Sequence, residues 1–182
     1  MTPSPDIPEK ELRKRCQHVL SAAADEARRM GHNYLGTEHL FIASTRNEQG
    51  PTFNLLRRAG LNPREVRNEI RREIGTGEGP QVDELTLTPR TAMVLSLAIF
   101  LAEQDEEEEV KESHLLMALL QEGEGVPVRK LVDMGFDLNH WLQKLIAEEH
   151  EAFSPLPLDD DDDLFGFIDD SDDMRFHDPG MF

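Results

Sequence analysis

The chain has 182 residues and a formal charge of −18, from 19 Lys and Arg against 37 Asp and Glu. Such an excess of acid repels phosphate backbones and anionic headgroups, which argues against nucleic-acid and membrane partners. The single cysteine, Cys16, excludes an intramolecular disulfide and a thiolate metal centre; with an N-terminus unlike a secretory leader, it points to a reducing cytoplasm.

In chain order, residues 1–8 read as a flexible start. Glu9 to Met30 is alanine-rich, with Leu12, Cys16, Val19, Leu20, Ala23, Ala27 and Met30 at helical spacing. Gly31 is a stop, HNYLG a short loop, and Thr37 the expected N-cap of a second helix, with Glu38 in the turn where the helix dipole favours an anion. A third helix follows Gly50-Pro51 and stops at Gly60; Asn62-Pro63 opens a fourth that ends near Ile74. Residues 75–86 form a Gly/Pro-containing connector. Thr88-Pro89 opens the next helix, whose apolar run from Ala92 to Ala102 is too short to span a bilayer. Gly135 then closes a helix and Asp137 caps the last. No segment alternates with β-branched residues, so the fold class is all-α.

The order of these signals repeats. Slid by 75 residues, the chain meets itself without a gap from Leu12 to Ile74: Val19-Leu20-Ser21 falls on Val94-Leu95-Ser96, His39-Leu40 on His114-Leu115, and Gly60 on Gly135. The expected organisation is one domain over 9–152, with repeat 1 at 9–74 and repeat 2 at 87–149. An acidic tail over 153–182 follows. From Glu151 onward there are 11 acids against one base, Arg175, a composition that predicts disorder. Within it Leu164, Phe165, Phe167, Ile168 and the terminal Phe182 set apolar anchors among acids, as in a short motif that orders on binding. The plain alternative is a solubilising appendage. Asp159–Asp163 lacks the spaced ligands and turn glycine of a calcium loop.

Chemistry has little to work with. His32 lies in a loop and His39 on a helix, and in repeat 2 their counterparts are Glu107 and His114, while Glu38 becomes Ser113. A duplicated metal site keeps its ligands, so the histidines read as packed or capping groups and no metal or other cofactor is expected. Cys16 reads as a small buried residue. There is no serine elbow, P-loop or Walker motif in the 182 residues, so no enzymatic activity is expected.

GHNYLGTEHL (Gly31 to Leu40) and LLRRAGLNPREVRNEI, with LTPRTAMVLSLA and SHLLMALLQEGEGVPVRKLVDMGFDL in the second half, closely resemble the N-terminal domain of Clp-family AAA+ unfoldases, over roughly Leu12 to Glu149. The resemblance implies a pseudo-twofold pair of four-helix repeats that does no chemistry but docks adaptors and receives substrates. In the Clp C branch it also binds phosphorylated arginine. By the same resemblance, the glutamate of each GTEH segment faces the guanidinium: this is Glu38, beside Thr37, in repeat 1, and it is lost as Ser113 in repeat 2. A pocket threonine is kept as Thr88 and replaced by Arg13, and the acid loop Asp105 to Glu109 opposes a phosphate. The expected role is an adaptor or regulator of a Clp-type ATP-dependent unfoldase or protease, with that machine, its adaptors or its substrates as partners. Glu38 kept only as a helix-start acid is the plain alternative, worth roughly 0.3–1 kcal/mol. Two rival roles are a detached N-domain of a split or truncated unfoldase and an ATP-independent acidic chaperone-like binder.

Overall fold

Prolines and polar caps place most of the helix starts. The structure, a computed structural model, describes residues 7–79 and 82–148. The ends of the chain, including the tail motif Leu164, Phe165, Phe167, Ile168 and Phe182, lie outside the described residues. Repeat 1 contains α1 (Glu9–Arg15), α2 (Gln17–Arg29), α3 (Thr37–Ser44), α4 (Pro51–Arg58) and α5 (Pro63–Ile74). Repeat 2 contains α6 (Pro89–Gln104), α7 (Glu112–Glu122), α8 (Val126–Asp133) and α9 (Leu138–Glu148). Asn62 caps α5 through Arg64 N–H at 2.9 Å, Thr88 caps α6 through Thr91 N–H at 3.2 Å, and Asp137 caps α9 through His140 N–H at 2.9 Å.

Three local expectations are corrected. The first helix is broken at Cys16, because the Arg15 carbonyl turns out to accept the Val110 N–H of the other repeat at 2.9 Å. Its counterpart α6 runs unbroken. Thr37 is the first helical residue and Gly36 the N-cap, since a histidine side chain, described below, takes the capping role. The loop after Gly31 contains a two-residue strand, β1 (Tyr34–Leu35), paired in parallel with β2 (Thr86–Leu87) just before α6. With no alternating pattern in either dipeptide, nothing in the sequence marks this pairing; it stitches one repeat to the start of the next.

Every residue of α3 is buried, and α7 buries His114, Leu115, Leu116, Ala118, Leu119 and Leu120. These two helices touch at the centre; α2 packs on α3 and α6 on α7. The outer contacts are exchanged between repeats: α4 lies on α7 and α3 on α8, while α5 packs on α8 and α1 on α6. One core therefore serves both repeats. Leu40, Phe41 and Ile42 are all no more than 1% exposed, and each contributes roughly 1.5–3 kcal/mol by leaving water. Cys16 is fully buried and burial pushes its thiol up to about 12, so it is a packing residue with a suppressed nucleophile.

The one charged residue buried deep in α2, Glu26, is 2% exposed. Its carboxylate receives Arg46 at 2.7 Å on one oxygen and Arg71 at 2.6 Å on the other. Burial alone would raise its pKa, but the hydrogen bonds and charges of Arg71 and Arg46 outweigh this and hold it below the usual carboxylate range. The connector is held by backbone: Gly77 N–H donates to the Met30 carbonyl at 2.8 Å and Gly79 N–H to that of Gly31 at 3.2 Å.

The repeats also differ in strain. Gly31 sits at φ +72°, and its counterpart 75 residues on, Glu106, holds the same left-handed turn at φ +59°. A side chain there costs roughly 1–2 kcal/mol, part of which glycine returns through its freer unfolded chain. Glu106→Gly is expected to stabilise the domain by about 0.5–1 kcal/mol in urea unfolding; a loss of stability would mean that the Glu106 side chain holds the acid loop in place.

Candidate functional site

The imidazole of His39 determines where α3 begins. Its Nδ1 accepts the Gly36 N–H at 2.9 Å, so Nε2 carries the proton and donates to His32 Nδ1 at 2.8 Å. His114 repeats the device in α7: Nδ1 accepts the Lys111 N–H at 3.1 Å and Nε2 faces Asp105 Oδ2 at 2.9 Å. The capping reading of both histidines therefore holds. What changed between repeats is the acceptor, imidazole in one and carboxylate in the other. Tyr34 stacks on His32 with ring centroids 5.0 Å apart and meets His39 edge-on at 5.3 Å. Among the described residues no group of three or more histidine, cysteine or acidic side chains converges to hold a metal.

This start presents Glu38. The carboxylate is largely buried and lies 3.5 Å from the Thr37 hydroxyl. Burial, and then the nearby Glu38, raise the Tyr34 pKa, so the phenol keeps its proton. The glycine ahead of it leaves room for the carboxylate: a Cβ at Gly36 would fall 2.3 Å from Glu38 Oε1 and displace it.

Thr37, Glu38 and Thr88 line one open cleft of about 570 Å³. Repeat 2 supplies the rest of its wall through Arg90, Gly123, Glu124, Val126 and Arg129. Arg90 is ion-paired with Glu122, whereas Arg129 is exposed and makes no ion pair among the described residues. The cleft is thus bipolar: the recessed Glu38 carboxylate on the repeat 1 side, and on the repeat 2 side two guanidiniums with the exposed carboxylate of Glu124, 4.0 Å from Arg90, beside them. Neither arginine was singled out from sequence. The available signal was that Thr88 and Glu38 come from different repeats, so that the basic residues of repeat 2's first and third helices, not those next to Glu38, complete the wall.

A second cleft of about 560 Å³ occupies the exchanged position, lined by His18, Asn47, Glu106 to Glu109, Val110, Lys111 and Glu112. Where the first offers cationic side chains, this one offers the acid loop, closed down by Arg15, whose Nε donates to the Glu108 carbonyl at 2.9 Å. Burial raises the Glu112 pKa against the opposing hydrogen bond from Asn47, 3.1 Å away. The two clefts share a frame, but the first mixes both charges and the second is dominated by acids.

Comparisons with known proteins agree with this geometry. The family model of the Clp repeat (R) N-terminal domain matches residues 11–134 and 86–157. Chloroplastic chaperone protein ClpC1 of Oryza sativa subsp. japonica is 36% identical over 137 residues, and ClpC1 of Arabidopsis thaliana 38%. Each match takes in 74% of this chain and only 15% of the relative. Among solved structures, the N-domain of ClpV from Vibrio cholerae superposes with a TM-score of 0.62 at 20% identity, covering 81% of this chain and 92% of that one. A ClpV N-domain in complex with VipB peptide superposes with a TM-score of 0.63 at 18% identity, covering 86% and 99%.

The histidine pair makes an acid-sensitive joint. Burial, reinforced by His32, lowers the His39 pKa to about 4 against an ordinary 6.5, an effect that Glu26 only partly opposes. The unfolded chain therefore binds the proton first as pH falls. The contribution of neutral His39 is complete above about pH 6.5 and is lost towards pH 4, by up to about 3 kcal/mol. Unfolding free energies of the wild type and His39→Gln, measured from pH 7.5 to 4.5, should converge with falling pH; a constant difference would show that the imidazole does not titrate in this window.

Proposed function

The chain belongs to the family of Clp repeat N-terminal domains, and on that premise we propose that it is a non-catalytic protein-binding module acting as an adaptor or regulator of a Clp-type ATP-dependent unfoldase or protease. The observation that carries this reading is the bipolar cleft formed jointly by the two repeats. A carboxylate facing two guanidiniums suits a side chain that is itself bipolar, with a planar cationic group carrying an anion. Phosphorylated arginine has that form: Glu38 would receive the guanidinium, and Thr88, Arg90 and Arg129 the phosphoryl oxygens. The second cleft would repel the same ligand, so binding is expected once per chain. The peptide bound by the ClpV N-domain supports the use of this fold for capturing protein segments.

A peptide carrying one phosphorylated arginine, titrated into the full chain by calorimetry, should bind with a stoichiometry of one. Glu38→Gln should weaken it at least about tenfold, the loss of a charge-assisted contact, while stability falls by less than about 1 kcal/mol. Equal binding by the variant, or by the unphosphorylated peptide, would leave Glu38 as a helix-start acid and nothing more.

The relatives extend far beyond the matched segment, which favours a second reading in which this domain works jointly with ATPase modules as part of an unfoldase. Both readings place it on an AAA+ ring. Affinity capture from the native host, comparing the full chain with one ending at Ala152, should enrich a Clp unfoldase in both samples if the repeats make the contact. Enrichment only by the full chain would move the contact to the tail. Absence of any AAA+ protein from both would overturn the assignment and favour an ATP-independent binder.

A further inference from the structure

The acidic total hides an uneven partition. Repeat 1, over residues 9–74, carries 13 Lys and Arg against 9 Asp and Glu, whereas repeat 2, over 87–149, carries 5 against 13. The positive excess has a place on the surface. Along α5, Arg64, Arg67 and Arg71 fall on one stripe at i, i+3 and i+7, while Glu65, Glu69 and Glu73 form another on the opposite flank. Two of these acids are engaged there: Glu69 holds Arg72, and Glu73 reaches Lys130 of α8 at 3.1 Å.

The arginine stripe lacks such neutralisation. Arg46, at the end of α3, joins Arg71 on Glu26, and the two oxygens of that carboxylate are thereby taken. Arg67 has only neutral acceptors, the Thr45 carbonyl at 2.9 Å and its hydroxyl at 3.5 Å. Burial first, then the charges of Arg46 and Arg71, and less strongly Arg64, lower the Arg67 pKa. Exposed Arg64 makes no ion pair among the described residues. Two guanidiniums thus share one carboxylate and two more on the same face have none, in a chain where most other ion-paired cations have a carboxylate of their own. Such a cluster calls for an anion.

The chain supplies a suitable one. Residues 151–182 hold 11 acids and one base, grouped as Asp159 to Asp163 and around Ser171. Extended, the chain reaches about 36 Å from the end of α9 at Glu148 to Asp159 and about 82 Å to Asp173, against a radius of gyration of about 14 Å for a domain of this size. The more distal acids can therefore arrive at any face, at the millimolar effective concentration typical of a short tether. We propose that the acidic segment 159–173 docks on the Arg46, Arg64, Arg67 and Arg71 face of repeat 1, as an intramolecular electrostatic latch that a partner must displace to use either surface.

The test uses the full chain. A nitroxide is attached through Ser171→Cys; Cys16, fully buried and with its thiol pushed up to about 12, escapes the label. Amide signals of α5 should lose most of their intensity at low ionic strength and regain it at about 0.5 M salt, where charges are screened beyond about 5 Å. Arg64→Glu, an exposed change that leaves the Glu26 contacts intact, should restore much of the intensity at low salt, and so should replacing Asp159 to Asp163 by asparagine. Undiminished α5 signals at low salt would overturn the proposal. So would broadening centred on α6 and α8 around Arg90 and Arg129, which would place the tail in the binding cleft instead, or broadening of α5 that persists at high salt.

Discussion

A neutral imidazole whose two nitrogens are both committed fixes the geometry on which the candidate site depends. By taking the Gly36 N–H on one side and donating to His32 on the other, His39 ends the loop and begins α3 at one residue. That start sets Glu38 in the first turn, with its carboxylate in the space that a side chain at position 36 would take and with Tyr34 nearby. The same loop forms β1, which binds the backbone ahead of α6 and so delivers Thr88 and Arg90 to the cleft opposite Glu38. Each half of the cleft is positioned by the other. The helix dipole adds a favourable field for the acid, but the placement is the work of directional bonds in a site with little water.

Packing supplies the frame these bonds act on. Because α3 is buried on all sides and α7 nearly so, neither can shift along its axis without opening the shared core. The polar groups brought inside are almost all satisfied. Glu26 has two arginines, Ser44 and Thr45 bond back to carbonyls of their own helix at 2.8 and 2.7 Å, and Thr52 Oγ1 alone among the described buried side-chain nitrogens and oxygens is left without a partner. A rigid platform of this kind lowers the entropy lost when a flexible peptide is captured, which suits a receiver of unstructured segments.

Much of this was legible in the residues, and the reason is periodicity. The 75-residue self-match, the prolines at helix starts and the caps at Asn62, Thr88 and Asp137 all carry their own physical signal, and all reappear in the structure. The capping role of His39 and His114 could be read because one histidine survived where its neighbours changed. Less was legible where the decisive partner is distant. The break at Cys16 comes from Val110, some ninety residues away, and the β1–β2 pairing comes from two dipeptides too short to alternate. Arg90 and Arg129 were missed for a related reason. Nothing near Glu38 in sequence names them, because the wall they form belongs to the other repeat.

That cross-repeat wall bears on ancestry. A single repeat, cut free, would hold half of each cleft and no whole one. Two identical copies about a twofold axis would hold two identical clefts, bound by symmetry to change together. Joining the copies in one polypeptide removes that bond: a substitution on one side is no longer printed on the other. The mixed charges at one mouth and the run of acids at the other are what such release permits.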